Sequence, residues 1–545
     1  MNTTKTFDVA IVGYGPVGQT LAILLGNMGY SVAVYDRWQS LYPLPRAVFH
    51  DHEIRRVFTM MGLGPALEGI SQPSACYQWF NADWKVLVEI DWSAESISDG
   101  PFGYLFNQPA LEALLDSKAK GIANVEVHQG WEAVGLEQNP GDCKLTMRRA
   151  VRSGAVDSAM GEETREVRAR YVIGADGANS FVRRDLGIAW HDLGFEEDWL
   201  VVDLQPNPGV ELDVPDIGQW CNPARPTTMV PGGPGYRRWE FMRLPHETLE
   251  DLQSTDRVWE LLAPWVNPQT ATLVRHAVYQ FRSRIAENWR KGRVLLAGDA
   301  AHLMPPFMGQ GMCSGIRDAW NLSWRLNLIL SGVCDDSLLD SYTPERKPQI
   351  RAVIDASVEM GKVVCVSDLQ QAAERDAAFL SGNVPPLPPF PGLQDGLVHK
   401  DDQGLPVGVA GTLGVHGSLQ TQGRTARYDD LFGRGFHLLV IGEDDPLDYI
   451  SATQRAALSQ IDLRVIRLSE EASDIPGVYR DVSGKYHRFM DEAGITALIV
   501  RPDFYLFGGV ARIDRLPGLL DDLLDQLRPQ PSRQPNGDHL MAAVS

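Results

Sequence analysis

A glycine-rich turn near the start of the chain has the spacing of a phosphate-binding site. Its glycines are Gly13, Gly15 and Gly18. Gly13 permits a tight turn, Gly15 lets the backbone approach a pyrophosphate, and Gly18 lets the following helix pack closely on the preceding strand. The N-terminus of that helix presents free N–H groups to the anion. The pattern predicts a dinucleotide site, which could hold either FAD or NAD.

The elements around this turn form a complete βαβ unit. Phe7–Val12 is an almost continuous apolar run, typical of a strand buried on both faces. A helical pattern covers Gln19–Met28, and Ser31–Tyr35 is a second predicted strand. This strand ends at Asp36, whose carboxylate could accept hydrogen bonds from a ribose. A glycine-rich turn without a ligand is the alternative, and the strand, helix and acid around the turn argue against it.

Two later segments carry further motifs, each after a predicted buried strand. Gly174–Arg183 follows the strand Tyr171–Ile173, and Gly298–Gly311 follows Arg293–Ala297. Asp299 ends the last of these strands and suits the hydroxyl groups of a cofactor chain, although Asp also serves well as a helix cap. The glycines that follow it would let a planar ring approach the backbone closely.

These three motifs, in this order, resemble the fingerprints of single-component FAD-dependent aromatic hydroxylases of the p-hydroxybenzoate hydroxylase type. The nearest resemblance is to 3-(3-hydroxyphenyl)propionate hydroxylase-like members, which have a C-terminal thioredoxin-like domain. The resemblance spans essentially the whole chain. It implies an α/β fold: a Rossmann-like FAD-binding domain with an inserted antiparallel β-sheet substrate domain, followed by a thioredoxin-like α/β domain.

The resemblance also assigns FAD contacts. Arg46 would reach across the phosphates or the ribityl chain, and Gln108 matches the Gln before the helix that covers the ribityl chain. Asp176 would lie near the pyrophosphate, with a plain turn as its alternative role. An exposed loop position is the alternative for Arg46. The N–H groups that open the helix after Gly311 would face the flavin N1–C2=O edge and favour reduced flavin. The predicted FAD-binding residues are Gly13, Gly15, Pro16, Val17, Gly18, Asp36, Arg37, Arg46, Gln108, Asp176, Asp299, Pro306, Gly309, Gly311 and Met312.

The implied activity is hydroxylation of a small phenol beside an existing hydroxyl, as on a resorcinol-like or 3-hydroxyphenylpropionate-like substrate. NADH or NADPH would reduce FAD, and O2 would form a hydroperoxide at flavin C4a. No separate nicotinamide-binding βαβ unit is visible, which fits a transiently bound nicotinamide. Two alternatives stay open: a tailoring monooxygenase acting on a polyketide or antibiotic ring, and a non-catalytic flavin-binding interaction protein. Halogenation is disfavoured because the chain has no Trp-x-Trp-x-Ile-Pro segment.

The inserted sheet should roof the substrate with one of its faces. Alternation along Trp239-Glu240-Phe241 sends Glu240 to the opposite face from its neighbours, and Tyr279 and Phe281 repeat the pattern. The catalytic base is not determined, and its weak candidates are Glu240, Tyr279 and His302. Core packing is the alternative for each substrate-binding candidate: Trp239, Phe241, Phe281 and Pro305. A substrate carboxylate could pair with an arginine, the candidates being Arg225, Arg237, Arg238 and Arg243.

The pattern predicts several successive regions. Helices dominate from Ser314 to about Phe379, and strands His437–Gly442 and Ala497–Val500 belong to the C-terminal domain. That domain has no Cys-x-x-Cys pair, so dithiol chemistry is excluded and a structural or homodimer role is expected. The predicted regions are FAD-binding residues 1–187, the inserted sheet 188–284, a second FAD-binding part 285–383, a Pro-rich linker 384–392, the thioredoxin-like domain 393–527 and a disordered tail 528–545.

The composition of the chain limits the classes of molecule that it is expected to bind. The chain has 545 residues and a net charge of −20, which argues against nucleic acid and anionic membrane surfaces as partners. Its six cysteines lie far apart, as expected of reduced thiols in a cytoplasmic protein without a metal site. Neither a signal peptide nor a membrane-spanning apolar run is apparent. The expected partners are therefore a small phenol, O2 and a nicotinamide.

Overall fold

The computed structural model describes residues 5–42, 46–151, 159–382, 389–421, 423–442 and 445–528. The chain folds into two compact units, one of residues 1–320 and 349–391 and the other of residues 321–348 and 392–545. Within the described ranges, no helix is both long enough and apolar enough to span a bilayer. In the same ranges, no three His, Cys, Asp or Glu side chains are grouped to hold a metal ion.

Secondary structure begins with the predicted βαβ unit. The elements up to residue 151 are β1 (Thr6–Val12), α1 (Pro16–Asn27), β2 (Val32–Asp36), β3 (Phe49–Asp51), α2 (His52–Met60), α3 (Gly64–Leu67), β4 (Ser71–Pro73), β5 (Cys76–Phe80), β6 (Val86–Asp91), β7 (Gly103–Phe106), α4 (Gln108–Lys120), β8 (Val125–Gln129), β9 (Trp131–Gln138) and β10 (Cys143–Val151).

Long strands and long helices make up the middle of the chain. The elements there are β11 (Ala159–Gly174), α5 (Phe181–Asp185), β12 (Trp190–Pro206), β13 (Ile217–Trp220), β14 (Thr227–Pro231), β15 (Arg237–Met242), α6 (Leu249–Gln253), α7 (Thr255–Leu262), β16 (Ala271–Ala286), β17 (Arg290–Lys291), β18 (Val294–Leu296), β19 (His302–Leu303), α8 (Gln310–Leu330), α9 (Tyr342–Val364) and α10 (Leu369–Leu380).

Shorter elements follow. They are β20 (Ser418–Thr421), β21 (Arg424–Arg427), α11 (Tyr428–Phe432), β22 (His437–Ile441), α12 (Ala452–Gln460), β23 (Arg464–Ser469), β24 (Val478–Asp481), α13 (Lys485–Glu492), β25 (Ala497–Val500), β26 (Leu506–Val510) and α14 (Leu516–Leu527).

The first sheet carries the three sequence motifs. Its strand order is β17-β18-β11-β1-β2-β8, and β10 and β9 extend it from β11. Strand β1 pairs in parallel with β2 and β11, and β11 pairs in parallel with β18. The carboxyl ends of β1, β11 and β18 therefore meet at one edge, and each end leads into a motif. Burial on both faces explains the apolar runs of these strands.

The second sheet is the predicted substrate sheet, with additions. Its order is β19-β16-β12-β15-β14-β13-β5-β6, and the pairings among β12 to β16 are antiparallel. Strands β5 and β6 join it through a parallel pairing of β13 with β5. The predicted division left these two strands in residues 1–187. Their pairing covers the edge of β13, which would otherwise present unpaired backbone groups.

Helices α6 and α7 cover one face of the second sheet. The buried core there includes Leu200, Val202, Trp239 and Phe241. Residues of the alternate set on the same strands, such as Glu240, belong to the other face. The predicted alternation is thus present, and the uncovered face is the one available to the motif loops.

The second unit contains a seven-stranded mixed sheet of order β21-β20-β24-β23-β22-β25-β26. The two predicted strands correspond to β22 and β25, and the α/β fold class is confirmed. This unit also takes in residues 321–348, which the predicted division assigned to 285–383, so the boundary falls within α8 and α9. Most of the predicted linker and nearly all of the predicted tail lie outside the described residues.

Candidate active site

The glycine turn after β1 is tightly built on one side and open on the other. Gly13 has φ +107°, and a Cβ there would lie 2.2 Å from the Ala175 carbonyl oxygen. A Cβ on Gly18 would lie 2.0 Å from the Gly13 carbonyl oxygen. A Cβ on Gly15 would meet no heavy atom within 4 Å. Two glycines are therefore required by packing, and the third faces open space at the N-terminus of α1, which fits a pyrophosphate.

Two side chains at the start of α1 fix its position. Pro16 opens the helix at a site where its missing N–H is not needed. A Cβ on Gly298 would lie 3.0 Å from Val17 Cγ2, and one on Gly315 would lie 2.6 Å from the same atom. Val17 therefore packs against Gly298 and Gly315, and this contact holds the turn against the third motif and α8.

Asp299 has the properties expected of a cofactor ligand. Its side chain is half-exposed, and its carboxylate has no hydrogen-bond partner within the described part of the chain. Both oxygens are thus free to accept from ribityl hydroxyls. The acceptor oxygens of Asp299 and the open space at Gly15 fit the ribityl hydroxyls and the pyrophosphate of FAD.

Asp176 is occupied by its own turn. Ser180 Oγ donates to Oδ1 at 2.5 Å, and the Val182 N–H donates to Oδ2 at 3.1 Å. Burial raises the pKa of Asp176 above its ordinary value, against these two donors. The geometry matches the plain turn role given above as the alternative. Direct contact with FAD stays a prediction.

Asp36 and Arg37 differ in their surroundings. The Asp36 carboxylate accepts from the N–H groups of Tyr14 and Trp38, each at 2.7 Å. The contact of Asp36 with a ribose hydroxyl stays a prediction. Arg37 is exposed, with its guanidinium 6.0 Å from the Trp38 ring centre. Its role toward FAD stays a prediction.

Gln108 holds the loop that carries Arg46. Its Oε1 accepts from the N–H groups of Arg46 and Ala47, both at 2.6 Å, and its Nε2 donates to Glu112 Oε1 at 2.6 Å. Burial raises the pKa of Glu112 to about 7, although Gln108 and Arg46 oppose the rise. The Arg46 side chain is exposed and lies 5.3 Å from the Tyr42 ring centre. Gln108 thus positions the Arg46 loop.

The loop before α8 combines a left-handed glycine with an open one. Gly309 has φ +65°, and a Cβ there would lie 2.7 Å from Phe49 Cδ1. A Cβ on Gly311 would have its nearest heavy atom 3.9 Å away. Pro305 is buried, and its carbonyl accepts from Ser357 Oγ at 2.8 Å. The loop is thus fixed by packing at one glycine and open at the other; Pro306 and Met312 are half-buried.

A buried ion network anchors the first turns of α8. Arg317 donates to Glu53 at 2.6 Å, to Gln310 Oε1 at 2.9 Å, and to Asp51. Burial would raise the pKa of Asp51, but Arg317 outweighs it and the pKa falls to about 2. The sequence reasoning missed this network, because Asp51 and Glu53 lie more than 250 positions from Arg317.

His302 is not placed to act as an acid or base on a substrate. Its side chain is 1% exposed, and its Nε2 lies 2.7 Å from Asp318 Oδ2. The same Asp318 oxygen accepts from the Gly298 N–H at 3.0 Å. These contacts favour a structural role for His302, a weak candidate for the base, in which it holds the third motif in place.

Trp239 and Phe241 lie in the core beneath α6 and α7. They are 0% and 1% exposed, so a substrate has no access to them and their assignment as substrate-binding residues was wrong. Strand register places Glu240 opposite Val201 on one side and Thr228 on the other, all on the uncovered face. Burial raises the pKa of Glu240, while Arg238, whose Nη1 lies 3.6 Å from Glu240 Oε1, lowers it in part.

Asp203 organises the charges beside Glu240. Arg238 donates to both of its oxygens, at 2.7 and 3.1 Å, and Arg275 donates to Oδ2 at 2.5 Å. Arg238 also donates to the Arg46 carbonyl at 2.7 Å, and Arg275 donates to Tyr279 Oη at 2.6 Å. The uncovered face therefore meets the Arg46 loop. An Asp within the apolar run of β12 was the sequence signal for this cluster.

The remaining candidate arginines are also engaged with the protein. Arg225 binds both carboxylate oxygens of Glu247, at 2.6 and 2.8 Å, and Arg243 binds Asp198 at 2.9 Å. Arg237 donates to the carbonyls of residues 215 and 216. The pairing with a substrate carboxylate that was expected for one of them finds no support in these contacts.

Aromatic contacts bring the uncovered face to the loop before α8. The Trp199 ring centre lies 5.8 Å from that of Phe307 and 6.3 Å from that of Phe281. Tyr77 Oη donates to the Phe307 carbonyl at 3.4 Å. Phe281 thus belongs to this face, and its contact with a substrate stays a prediction.

Comparison with known proteins agrees with this arrangement. Residues 6–357 match the family model described as the FAD binding domain, and residues 411–526 match the HcaD C-terminal domain. A probable NADH-specific resorcinol 4-hydroxylase of Rhodococcus jostii is 37% identical, over 97% of each chain. A 3-(3-hydroxy-phenyl)propionate/3-hydroxycinnamic acid hydroxylase of Mycolicibacterium smegmatis is 32% identical, over 93% of this chain and 91% of that one.

Two solved structures share the fold at low identity. The flavin-dependent monooxygenase PieE, in complex with FAD and substrate, superposes with a TM-score of 0.75 at 20% identity, over 96% of this chain and 99% of that one. Aklavinone-11 hydroxylase, with FAD and aklavinone, gives 0.73 at 24% identity, over 96% and 100%. At this identity the likeness concerns the fold alone.

Proposed function

Because this chain belongs to the FAD binding domain family, over residues 6–357, we propose that it hydroxylates a small uncharged phenol of the resorcinol type with NADH as reductant. The protein is an FAD-dependent aromatic monooxygenase. The proposed position of attack is the ring carbon beside an existing hydroxyl. The relative with 37% identity, named for NADH and resorcinol, supports both the reductant and the substrate class.

The residues that would hold FAD lie in the glycine turn, the third motif and the loop before α8. Gly15 and the N-terminus of α1 would receive the pyrophosphate, Asp299 the ribityl hydroxyls, and Gly311 the flavin ring. Bound FAD, once reduced, supplies an activated oxygen atom derived from O2. The protein supplies orientation and a water-poor face on the second sheet.

Glu240 is the group that we assign to the phenol. A phenol becomes a stronger nucleophile when a base within hydrogen-bond reach takes its proton. Glu240 is 8% exposed and faces the motif loops, and burial raises its pKa toward the range that suits a base. The position of this buried acid on the uncovered face is the observation that carries the proposal.

Charge on that face favours a neutral substrate. Asp203 pairs with both Arg238 and Arg275, and Asp203 and Glu240 together balance the two positive charges, so a substrate carboxylate would meet no net positive charge in this cluster. Among the arginines considered, a propionate chain would find Arg225, Arg238 and Arg243 already paired with carboxylates, and Arg237 already donating to two backbone carbonyls. The proposal places the enzyme in the cytoplasm, where NADH is available and where its cysteines, all free thiols, stay reduced.

The test is a substrate panel with FAD-loaded protein. We expect resorcinol to accelerate NADH oxidation and to gain one oxygen atom, giving a 1,2,4-trihydroxybenzene by mass spectrometry. The same assay is run with 3-(3-hydroxyphenyl)propionate. A higher kcat/KM for the propionate would contradict the uncharged substrate, and failure to bind FAD or to hydroxylate any phenol would contradict the function itself.

A further inference from the structure

Three polar side chains stand side by side on the uncovered face of the second sheet. Glu240 on β15 is opposite Thr228 on β14, and Thr228 is opposite Gln219 on β13. They are 8%, 8% and 4% exposed. Along the same row, Val201 and Trp79 flank them on the neighbouring strands. Buried polar groups are normally hydrogen-bonded, so a polar row between apolar neighbours is expected to have hydrogen-bond partners.

The amide of Gln219 has a defined orientation. Thr228 Oγ1 donates to Gln219 Oε1 at 2.6 Å, so the amide NH2 points away from Thr228. The amide also lies beside the Tyr77 hydroxyl, where it lowers a pKa that burial raises. Tyr77 in turn donates to the Phe307 carbonyl. An amide has two N–H donors. One can serve the Tyr77 oxygen, and the second has no acceptor within the described chain.

The spacing of the row matches a ring with two hydroxyls. The backbones at Glu240 and Gln219 are two strands apart, about 10 Å at a strand spacing of about 4.8 Å, and side chains on one face stand roughly perpendicular to the sheet. A benzene ring carrying 1,3-hydroxyls, with a hydrogen bond of about 2.7 Å at each end, spans a gap of this size. A ring with one hydroxyl reaches only one end of the row.

We propose that Gln219 is a specificity-determining residue that donates to the second hydroxyl of a 1,3-dihydroxybenzene, while Glu240 receives the first. The inference rests on the proposed function and names the residue that selects the substrate within it. Thr228 acts through Gln219, by fixing the direction of its amide. A substrate without the second hydroxyl leaves a buried N–H unpaired. The transition state is then bound less tightly, and kcat/KM falls.

The experiment compares resorcinol with phenol in FAD-loaded wild type and Gln219→Leu. We expect wild type to favour resorcinol in kcat/KM, and the variant to lose on the order of 10- to 100-fold of that preference, because one buried hydrogen bond to substrate is gone. Gln219→Leu leaves the Thr228 hydroxyl unpaired, so the double variant Thr228→Val/Gln219→Leu, which removes both partners, is measured beside it. FAD content and circular dichroism report folding.

Gln78→Leu is the matched control. It makes the same change on the adjacent strand but on the opposite face, where the Gln78 amide donates to the exposed Glu89 at 2.7 Å. We expect it to keep the wild-type preference. An unchanged resorcinol-to-phenol ratio in folded Gln219→Leu or in the double variant would overturn the inference. So would a wild type that hydroxylates phenols without favouring resorcinol, and this result leaves the proposed function standing. A wild type that hydroxylates no phenol removes both.

Discussion

Two buried carboxyl groups of the first unit have pKa values moved in opposite directions. Burial would raise the pKa of both. At Asp51 the guanidinium of Arg317 outweighs burial and the pKa falls to about 2, whereas at Glu112 burial prevails and the pKa rises to about 7. Asp51 has a direct ion pair with Arg317, whereas Glu112 receives its close hydrogen bond from the neutral amide of Gln108. Sequence gives the residue type and not this partner.

Glu112 should make stability depend on pH. Its pKa is 4.5 ordinarily and about 7 in the folded chain, so its contribution is fully present below pH 4.5 and is lost as pH rises through 7. Wild type should therefore lose unfolding free energy between pH 5 and pH 8, and Glu112→Gln should not. At about 1.4 kcal/mol per pKa unit, the stability of the variant relative to wild type should rise by up to about 3 kcal/mol over this pH range. Urea denaturation at the two pH values measures this. Glu89→Gln, at an exposed position, is the control, and an equal difference at both pH values would refute the prediction.

Glu240 should set the acidic limb of the hydroxylation rate. Burial raises its pKa, so wild-type kcat/KM should fall as pH drops below that raised value and the carboxylate takes up its proton. Glu240→Gln should lower the rate by about 10²- to 10⁴-fold and remove the limb, since an amide neither titrates nor accepts the phenol proton. Stopped-flow measurement of the oxygenation step across pH is the readout. Glu240→Asp should retain the limb, and a Gln variant with the wild-type profile would exclude Glu240 as the base.

At the scale of elements, local patterns were predictable and distant pairings were not. The βαβ unit around Gly13 follows from a continuous apolar run, a turn and a helical period, all within 36 residues, and the structure has it. The pairing of β5 with β13 joins segments about 140 positions apart, so no local period announces it. The alternation of Trp239, Glu240 and Phe241 was likewise predictable. Which face the helices cover depends on α6 and α7, and this decided the roles of those three side chains.

The glycine turn permits a paired test of packing against binding. A Cβ at Gly13 would lie 2.2 Å from a backbone oxygen at a φ of +107°, so Gly13→Ala should destabilise the fold. A Cβ at Gly15 meets nothing within 4 Å, so Gly15→Ala should fold normally and lose affinity for FAD, whose pyrophosphate needs that space. Urea denaturation and titration with FAD, followed by flavin fluorescence, separate the two effects. Wild-type FAD affinity in Gly15→Ala would contradict the assignment of the turn.

At the scale of the whole molecule, the division into two units does not follow the order of the chain. The second unit includes residues 321–348 together with 392–545, so the C-terminal domain contains helical segments from the region predicted to belong to FAD binding. Within this unit, Glu345 binds Arg325 and Arg501, all of them fully buried. Glu345 and Arg501 lie 156 positions apart, so no local sequence pattern could predict their pairing. A fragment that begins at residue 392 would lack Glu345 as the partner of Arg501.

The Arg501 cluster should therefore be a large contributor to stability of the second unit. Arg501 donates to both oxygens of Glu345, at 2.6 and 2.9 Å, and to both oxygens of Asp503, at 2.6 and 3.0 Å. Arg501→Met would leave two buried carboxylates without this partner, and we expect a loss of about 3–5 kcal/mol in unfolding free energy. Arg512→Met is the control: that side chain is 77% exposed beside Asp514, so its loss should stay below about 0.5 kcal/mol. Thermal and urea denaturation of the full chain measure both, and equal stabilities of the two variants would show that the buried cluster contributes no more than a surface pair.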